Sequence, residues 1–109
     1  MLILAGAALV AAGAAQADDD AKALLQKSGC TACHAIDKKL VGPSFQDIAN
    51  KYRSSAVPLT TLQAQLQTSI LQGSVGRWGQ VPMPPRTNIT ADELTTIVNW
   101  LLVRTPPKK

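Results

Sequence analysis

The sequence predicts an all-α domain of about four helices closed around something that is not protein. Three observations carry that reading. Apolar residues recur at three- and four-residue spacing in several stretches, each bounded by capping residues, glycine or proline. No strand-type alternation, internal repeat or low-complexity tract occurs in residues 18 to 109. Aromatic side chains are limited to Phe45, Tyr52, Trp78 and Trp100, and a small domain buries a modest share of its surface, so side chains alone make a thin core.

At 109 residues the chain is one domain's worth, which excludes a multidomain enzyme. Its opening MLILAGAALVAAGAAQA is uncharged and ends in Ala15-Gln16-Ala17, a small-x-small cleavage pattern before Asp18-Asp19-Asp20. The stretch reads as a secretory signal peptide over residues 1–17, leaving a working domain over 18–109. The basic residue that usually opens such a segment is missing, so an uncleaved membrane anchor is the second reading, at the short end of what spans a bilayer. No cysteine lies near the cleavage pattern to carry a bacterial lipid anchor.

Residues 20–27 predict the first helix, with acids at its start, Lys27 in its last turn and Gly29 as a stop. It delivers the chain to Cys30. After a loop ending in Gly42-Pro43, Ser44 caps a second helix on which Phe45, Ile48, Ala49 and Tyr52 share a face. Leu59, Leu62, Leu66 and Ile70 mark a third, between Pro58 and Gly73. No charged residue falls between Arg53 and Arg77, so glutamine and threonine solvate its outer face. Residues 73–88 are too long for a turn and too rich in glycine and proline for an element, which predicts a loop with a job.

The last helix opens on a capping box, Thr90 with Glu93, and Ile89 and Leu94 are placed for a hydrophobic staple. Its stripe is Leu94, Ile97, Val98, Leu101 and Leu102, widened by Trp100 toward two partners, the first helix and whatever fills the core. Pro106-Pro107 ends it, and the basic tail Lys108-Lys109 is expected to fray.

Eleven basic residues against seven acidic ones give +4. They are scattered rather than clustered, which argues against nucleic acid and for a docking face toward an acidic protein partner.

Both cysteines lie in Cys30-Thr31-Ala32-Cys33-His34, the attachment signature of a c-type haem. Two thiols about one turn apart can add to the two vinyl groups of a porphyrin, and the adjacent imidazole then meets its face as an iron ligand. Three other chemistries compete. A thioredoxin-like dithiol needs a strand–helix fold that the helical pattern does not offer. Zinc wants four ligands, and two cysteines with one histidine give three. A disulfide between residues three apart closes a small loop and stabilises little.

His34 is the only histidine, so a bound haem takes its imidazole from there. Beyond the opening segment Met83 is the only methionine, inside Val81-Pro82-Met83-Pro84-Pro85. A lone methionine is usually core filler, yet these prolines fix backbone rather than pack an element, as suits a rigid loop aiming one thioether at iron. Trp78, in Gly76-Arg77-Trp78-Gly79, either donates its indole N–H to a haem propionate or packs the loop. Arg77 is the nearest cation, paired with a propionate or turned to water.

Taken together, CTACHAIDKKLVGPSF at 30–45, G-x-W-G at 76–79, VPMPP at 81–85 and the final helix with its tryptophan resemble the small bacterial class I cytochromes c of the c-551/c-552 type. The resemblance spans nearly all of residues 19–105. It implies the class I cytochrome c fold, four helices around one covalent haem c, with thioethers at Cys30 and Cys33 and axial ligands His34 and Met83. It further implies Pro43 beside the His34 ring with its carbonyl toward the imidazole, Trp78 on a propionate, and the Trp100 helix crossing the first helix near Leu25. Some members carry a base toward the end of the third helix that helps hold a propionate; the corresponding stretch here is Thr68-Ser69-Ile70-Leu71. The connection from Arg53 to Thr60 is a few residues longer than in the shortest members.

The function so implied is a monomeric periplasmic electron carrier that exchanges electrons with redox proteins, without enzymatic activity, because two filled axial positions leave no site for substrate. An enzyme or gas sensor needs an open sixth position, which Met83 argues against. A thiol–disulfide oxidoreductase requires free thiols.

A covalent attachment at Cys30 and Cys33 is expected to survive acid–acetone extraction, with the haem remaining on the denatured chain. Since haem supplies much of the interior, apoprotein should give the circular dichroism of a largely unfolded chain.

Overall fold

The computed structural model describes residues 3–106, with side chains described from Gly13 onward. The expected fraying of Lys108-Lys109 lies outside the described residues. Four α-helices carry the fold: α1 (Ile3–Lys27), α2 (Phe45–Arg53), α3 (Leu59–Gln72) and α4 (Ala91–Asn99). A 3-10 turn at Cys30–Ala32 follows α1, and a π turn at Trp100–Arg104 extends α4. Among the described residues there is no strand, only isolated antiparallel pairings of His34 with Lys39 and Ser74 with Met83.

Helix α1 is longer than the expected 20–27. The alanine-rich segment before Asp18 favours helix and offers no break. The acids therefore sit within the helix, not at its start, and side chains pair with Asp18 and Asp20. Arg104 forks onto Asp18 through Nε and Nη2 at 3.1 and 3.2 Å, and Gln16 donates to Asp20 at 2.9 Å. The Arg104 hydrogen bonds hold the Asp18 carboxyl below its ordinary range.

Helix α2 begins as its sequence dictates, the Asp47 backbone N–H donating to Ser44 Oγ at 3.0 Å, and it buries Phe45, Ala49 and Tyr52. Helix α3 runs between Pro58 and Gly73 and buries Leu62, Leu66 and Ile70; Leu59, in its first turn, is instead 48% exposed. At the start of α4 both halves of the capping box are formed, Glu93 N–H to Thr90 Oγ1 and Thr90 N–H to Glu93 Oε1.

The last helix departs from the simple 3.6-residue reading. Its end widens into a π turn closed by Thr105 N–H on the Trp100 carbonyl at 2.9 Å. The wider turn buries three consecutive residues, Trp100, Leu101 and Leu102. Thr105 Oγ1 also donates to the Trp100 carbonyl, and Arg53 of α2 donates to the carbonyls of Leu101 and Thr105, so the freed acceptors are occupied.

Two clusters make the interior. One joins α2, α3 and α4 through Tyr52, Leu62, Leu66, Ile70, Leu94, Val98 and Leu102. The other joins α1 to α4 through Ala21, Leu25, Phe45, Ile97, Trp100 and Leu101. Trp100 thus meets α1 beside Leu25 as expected. Its second expected partner is different: Ile97 and Leu101 line the central cleft, and Trp100 packs edge-on against Phe45 with ring centroids 5.6 Å apart.

Lys27, ending α1, hydrogen-bonds to Glu93 and is the largest influence holding that carboxyl below its usual value, with the Thr90 backbone N–H second. A carboxyl depressed by folding stabilises above its unfolded pKa and loses that contribution as pH falls through the folded value. Replacing Thr90 by alanine removes the Oγ1 that accepts the Glu93 N–H, one half of the capping box, and should cost about 1 kcal/mol. A thermal melt of the holoprotein should then fall by about 4–8 °C, the shift such a loss produces in a domain of this size.

Candidate haem site

The segment after α1 is folded by its own backbone into a clamp around one imidazole. His34 N–H returns to the Cys30 carbonyl at 3.0 Å, and Gly42 N–H donates to the Cys33 carbonyl at 2.8 Å. Phe45 N–H and Gln46 N–H then reach the carbonyls of Ala35 and Ile36, tying the start of α2 to the same loop. Within this frame His34 Nδ1 lies 2.6 Å from the Pro43 carbonyl. A carbonyl only accepts, so Nδ1 carries the proton and Nε2 keeps its lone pair for a ligand.

Two neighbours fix the plane of that ring. Phe45 stacks on it with centroids 5.4 Å apart and an interplanar angle of 27°. A Cβ on Gly42 would fall 2.6 Å from His34 Cε1, so that position has room for no side chain. Neither role was legible from Gly42-Pro43 as a loop signal or from Phe45 as a helix-face residue; the only hint was their closeness to Pro43.

The second half of the site is the loop after α3. Gly73 turns the chain at φ 78°, and a Cβ there would also collide with the Met83 carbonyl. Ser74 and Met83 then exchange two backbone hydrogen bonds, at 2.8 and 3.1 Å, closing the loop between them. Pro82 and Pro84 flank Met83 and have no N–H, so Met83 is the residue of that triplet able to complete the pair. Arg86 N–H anchors the loop's far end to the Ile70 carbonyl of α3 at 2.9 Å. The loop is thus closed by a backbone pairing that holds Met83 half-buried against the core.

These two segments face one cleft of about 360 Å³. Cys30, Cys33, His34, Pro43, Trp78 and Met83, all six residues singled out from the sequence, line it. Its apolar walls come from the helices, with Leu25, Ile48, Leu66, Ile70, Ile97 and Leu101. Neither cysteine is in a disulfide, and both are half-buried in the cleft. Burial pushes the Cys30 thiol up, partly opposed by the positive charge of Arg86. Trp78 is half-buried, its ring 4.4 Å from Lys51 Nζ.

This donor set suits haem c and suits the competing chemistries poorly. Two thiols, one imidazole with a free Nε2 and one thioether meet an apolar cavity. Among the described residues no group of three or more His, Cys, Asp and Glu side chains is gathered to hold a bare metal ion.

The chain is similar to known proteins. The cytochrome c family profile matches residues 19–104. Cytochrome c-551 of Allochromatium vinosum is 44% identical over 79 residues, covering 72% of this chain and 80% of that one. Cytochrome c-551 of Pseudomonas aeruginosa is 41% identical over 100 residues, covering 92% and 89% respectively. The crystal structure of wild-type cytochrome c552 from Nitrosomonas europaea superposes with a TM-score of 0.65 at 38% identity, over 75% of this chain and 96% of that one. Alike in sequence and fold along its helical body, the chain belongs to the cytochrome c family, and its cofactor is one covalent haem c.

Proposed function

We propose that this electron-transfer protein is a periplasmic single-electron carrier, without enzymatic activity of its own, whose haem iron is held by His34 and Met83. The supporting observation is convergence: two segments far apart in sequence, each locked by its own backbone hydrogen bonds, present Cys30, Cys33, His34 and Met83 to one cleft. Haem iron supplies a one-electron couple, and the chain's residues set where and how readily it works.

Pro43 accepts the Nδ1 proton of His34, which holds the ring in one tautomer with Nε2 as the ligand atom. Cys30 and Cys33 would carry the two thioethers, and the indole of Trp78, in the same cleft, would be the donor for a propionate. Met83 completes the coordination, leaving no position for substrate, and as a thioether ligand it favours the ferrous state relative to a second histidine. Leu25, Leu66, Ile97 and Leu101 keep water from the metal and lower the cost of moving one charge.

No helix among the described residues is long and apolar enough to cross a membrane. We read residues 1–17 as a signal peptide removed on export and 18–109 as the mature, monomeric carrier. The rim of the cleft holds Val41 and Val81, 58% and 65% exposed, beside the exposed Lys39. Such a rim fits brief docking on redox proteins with an acidic surround, the valines making short-range contact and the lysine steering.

Two measurements test this reading. Met83→Ala should lose the sulfur-to-iron charge-transfer band, lower the reduction potential and bind carbon monoxide in the ferrous state at neutral pH. A variant that keeps the band and potential would assign the ligand elsewhere. Stopped-flow oxidation by an acidic redox partner should slow as salt shortens the Debye length to about 8 Å near physiological strength. A rate that climbs with salt would mean a basic partner face.

A further inference from the structure

On the haem reading of the cleft given above, we propose that Arg77, carried by Tyr52 and Ser69 with Lys51 beside it, is the cation that binds and neutralises a haem propionate in this chain. Stretch 68–71 of α3 supplies no base to the cleft. The charge arrives instead from the loop. Arg77 follows Gly76, whose φ of 80° turns the backbone, and its guanidinium folds back onto two helices. Nη1 donates to the Tyr52 hydroxyl of α2 and, at 3.4 Å, to Ser69 Oγ of α3. Lys51 Nζ donates to the Arg77 carbonyl at 3.2 Å and rests on the Trp78 ring.

An arginine on an exposed loop ordinarily keeps its rotamer freedom, and immobilising it costs up to about 2 kcal/mol. Neutral hydroxyls return little of that. The arrangement has a purpose if an anion completes it. Both Nη1 hydrogens are directed at Tyr52 and Ser69, so the bidentate capacity of the guanidinium lies in its Nη2 and Nε hydrogens. Tyr52 and Ser69 also line the cleft, and Tyr52 is held in the α2–α3–α4 cluster, which makes it a rigid post. Trp78, next in sequence, lines the same cleft.

A carboxylate at the mouth of an apolar cleft needs this. Without a partner its desolvation raises its pKa toward neutral, and it then takes up a proton when the iron is reduced. With a guanidinium bound, the carboxylate stays ionised in both redox states. Besides Tyr52 and the haem-binding Cys30, Cys33 and His34, the ionisable groups lining the cleft are Asp47 and Lys39 on its α2 and 30–45 sides and Arg86 from the loop's far end. Arg77 differs from them in being braced on a buried phenol and on α3.

The test is the reduction potential of the haem-loaded protein followed across pH, for wild type, Arg77→Gln, Arg77→Lys and Tyr52→Phe. Wild type should be flat around neutral pH. Arg77→Gln should gain a falling step there, because a propionate that has lost its cation titrates in that range. At the alkaline end its potential should lie lower by up to tenfold in the ferric-to-ferrous ratio, equal to about 59 mV for one electron. Tyr52→Phe should shift the same way by less, and Arg77→Lys should restore the flat profile. A bracing role alone would lower the melting temperature and leave the pH profile unchanged. Superimposable profiles for wild type and Arg77→Gln would overturn the assignment while leaving the haem reading intact. If Arg77→Gln does not mature with haem, superimposable wild-type and Tyr52→Phe profiles overturn it equally. Wild-type protein isolated without covalent haem would overturn the haem reading itself.

Discussion

The hydrogen bond between His34 Nδ1 and the Pro43 carbonyl is the contact on which the rest of the structure turns. It sets the tautomer and therefore which nitrogen faces the cleft. It also explains the packing on either side. Gly42 is bare because the ring passes over it, and Phe45 stacks because α2 starts where Pro43 leaves the chain. Phe45 then meets Trp100 edge-on, so the orientation of one imidazole is relayed into the contact between α1 and α4. The packing of distant helices and the orientation of the His34 ring are one problem.

A second constraint is the division of the interior. The two apolar clusters share only Ile48 and Ile89 at their margins, and Leu25, Leu66, Ile70, Ile97 and Leu101 belong both to a cluster and to the cleft wall. The helices therefore pack against one another and line a common cleft with the same side chains. Shortening any of these five side chains disturbs a helix contact and the cleft surface together, so its effects on stability and on haem environment are coupled.

Much of this was legible because local chemistry and tertiary fold point the same way. Ser44, Thr90 and Glu93 mark helix starts through hydrogen bonds that involve only near neighbours, and those bonds are present. All six residues singled out for the site reach the cleft, because a motif of fixed spacing and a proline-braced loop carry their own geometry. What was missed depends on contacts between distant segments. The exception is local: α1 runs back to Ile3 through the alanine-rich stretch before Asp18, so the acids read as a helix start lie inside the helix, with Asp18 on Arg104. The π turn at Trp100–Arg104 needs Arg53, far back in the chain, to satisfy its carbonyls. Gly42 as the floor under His34 appears only once the ring is in place.

The pairing of Ser74 with Met83 separates two evolutionary demands on one short loop. Closure is made entirely by main-chain atoms, with Gly73 as its hinge. Val75 and Val81, inside the closed loop, are 78% and 65% exposed and contribute nothing to that closure through their side chains. Their identity is free to drift, within turn chemistry, without moving the thioether. On the proposed docking rim, the surface can thus be rewritten residue by residue while the backbone that presents Met83 is inherited unchanged, so one scaffold can acquire new correspondents without retuning its redox centre.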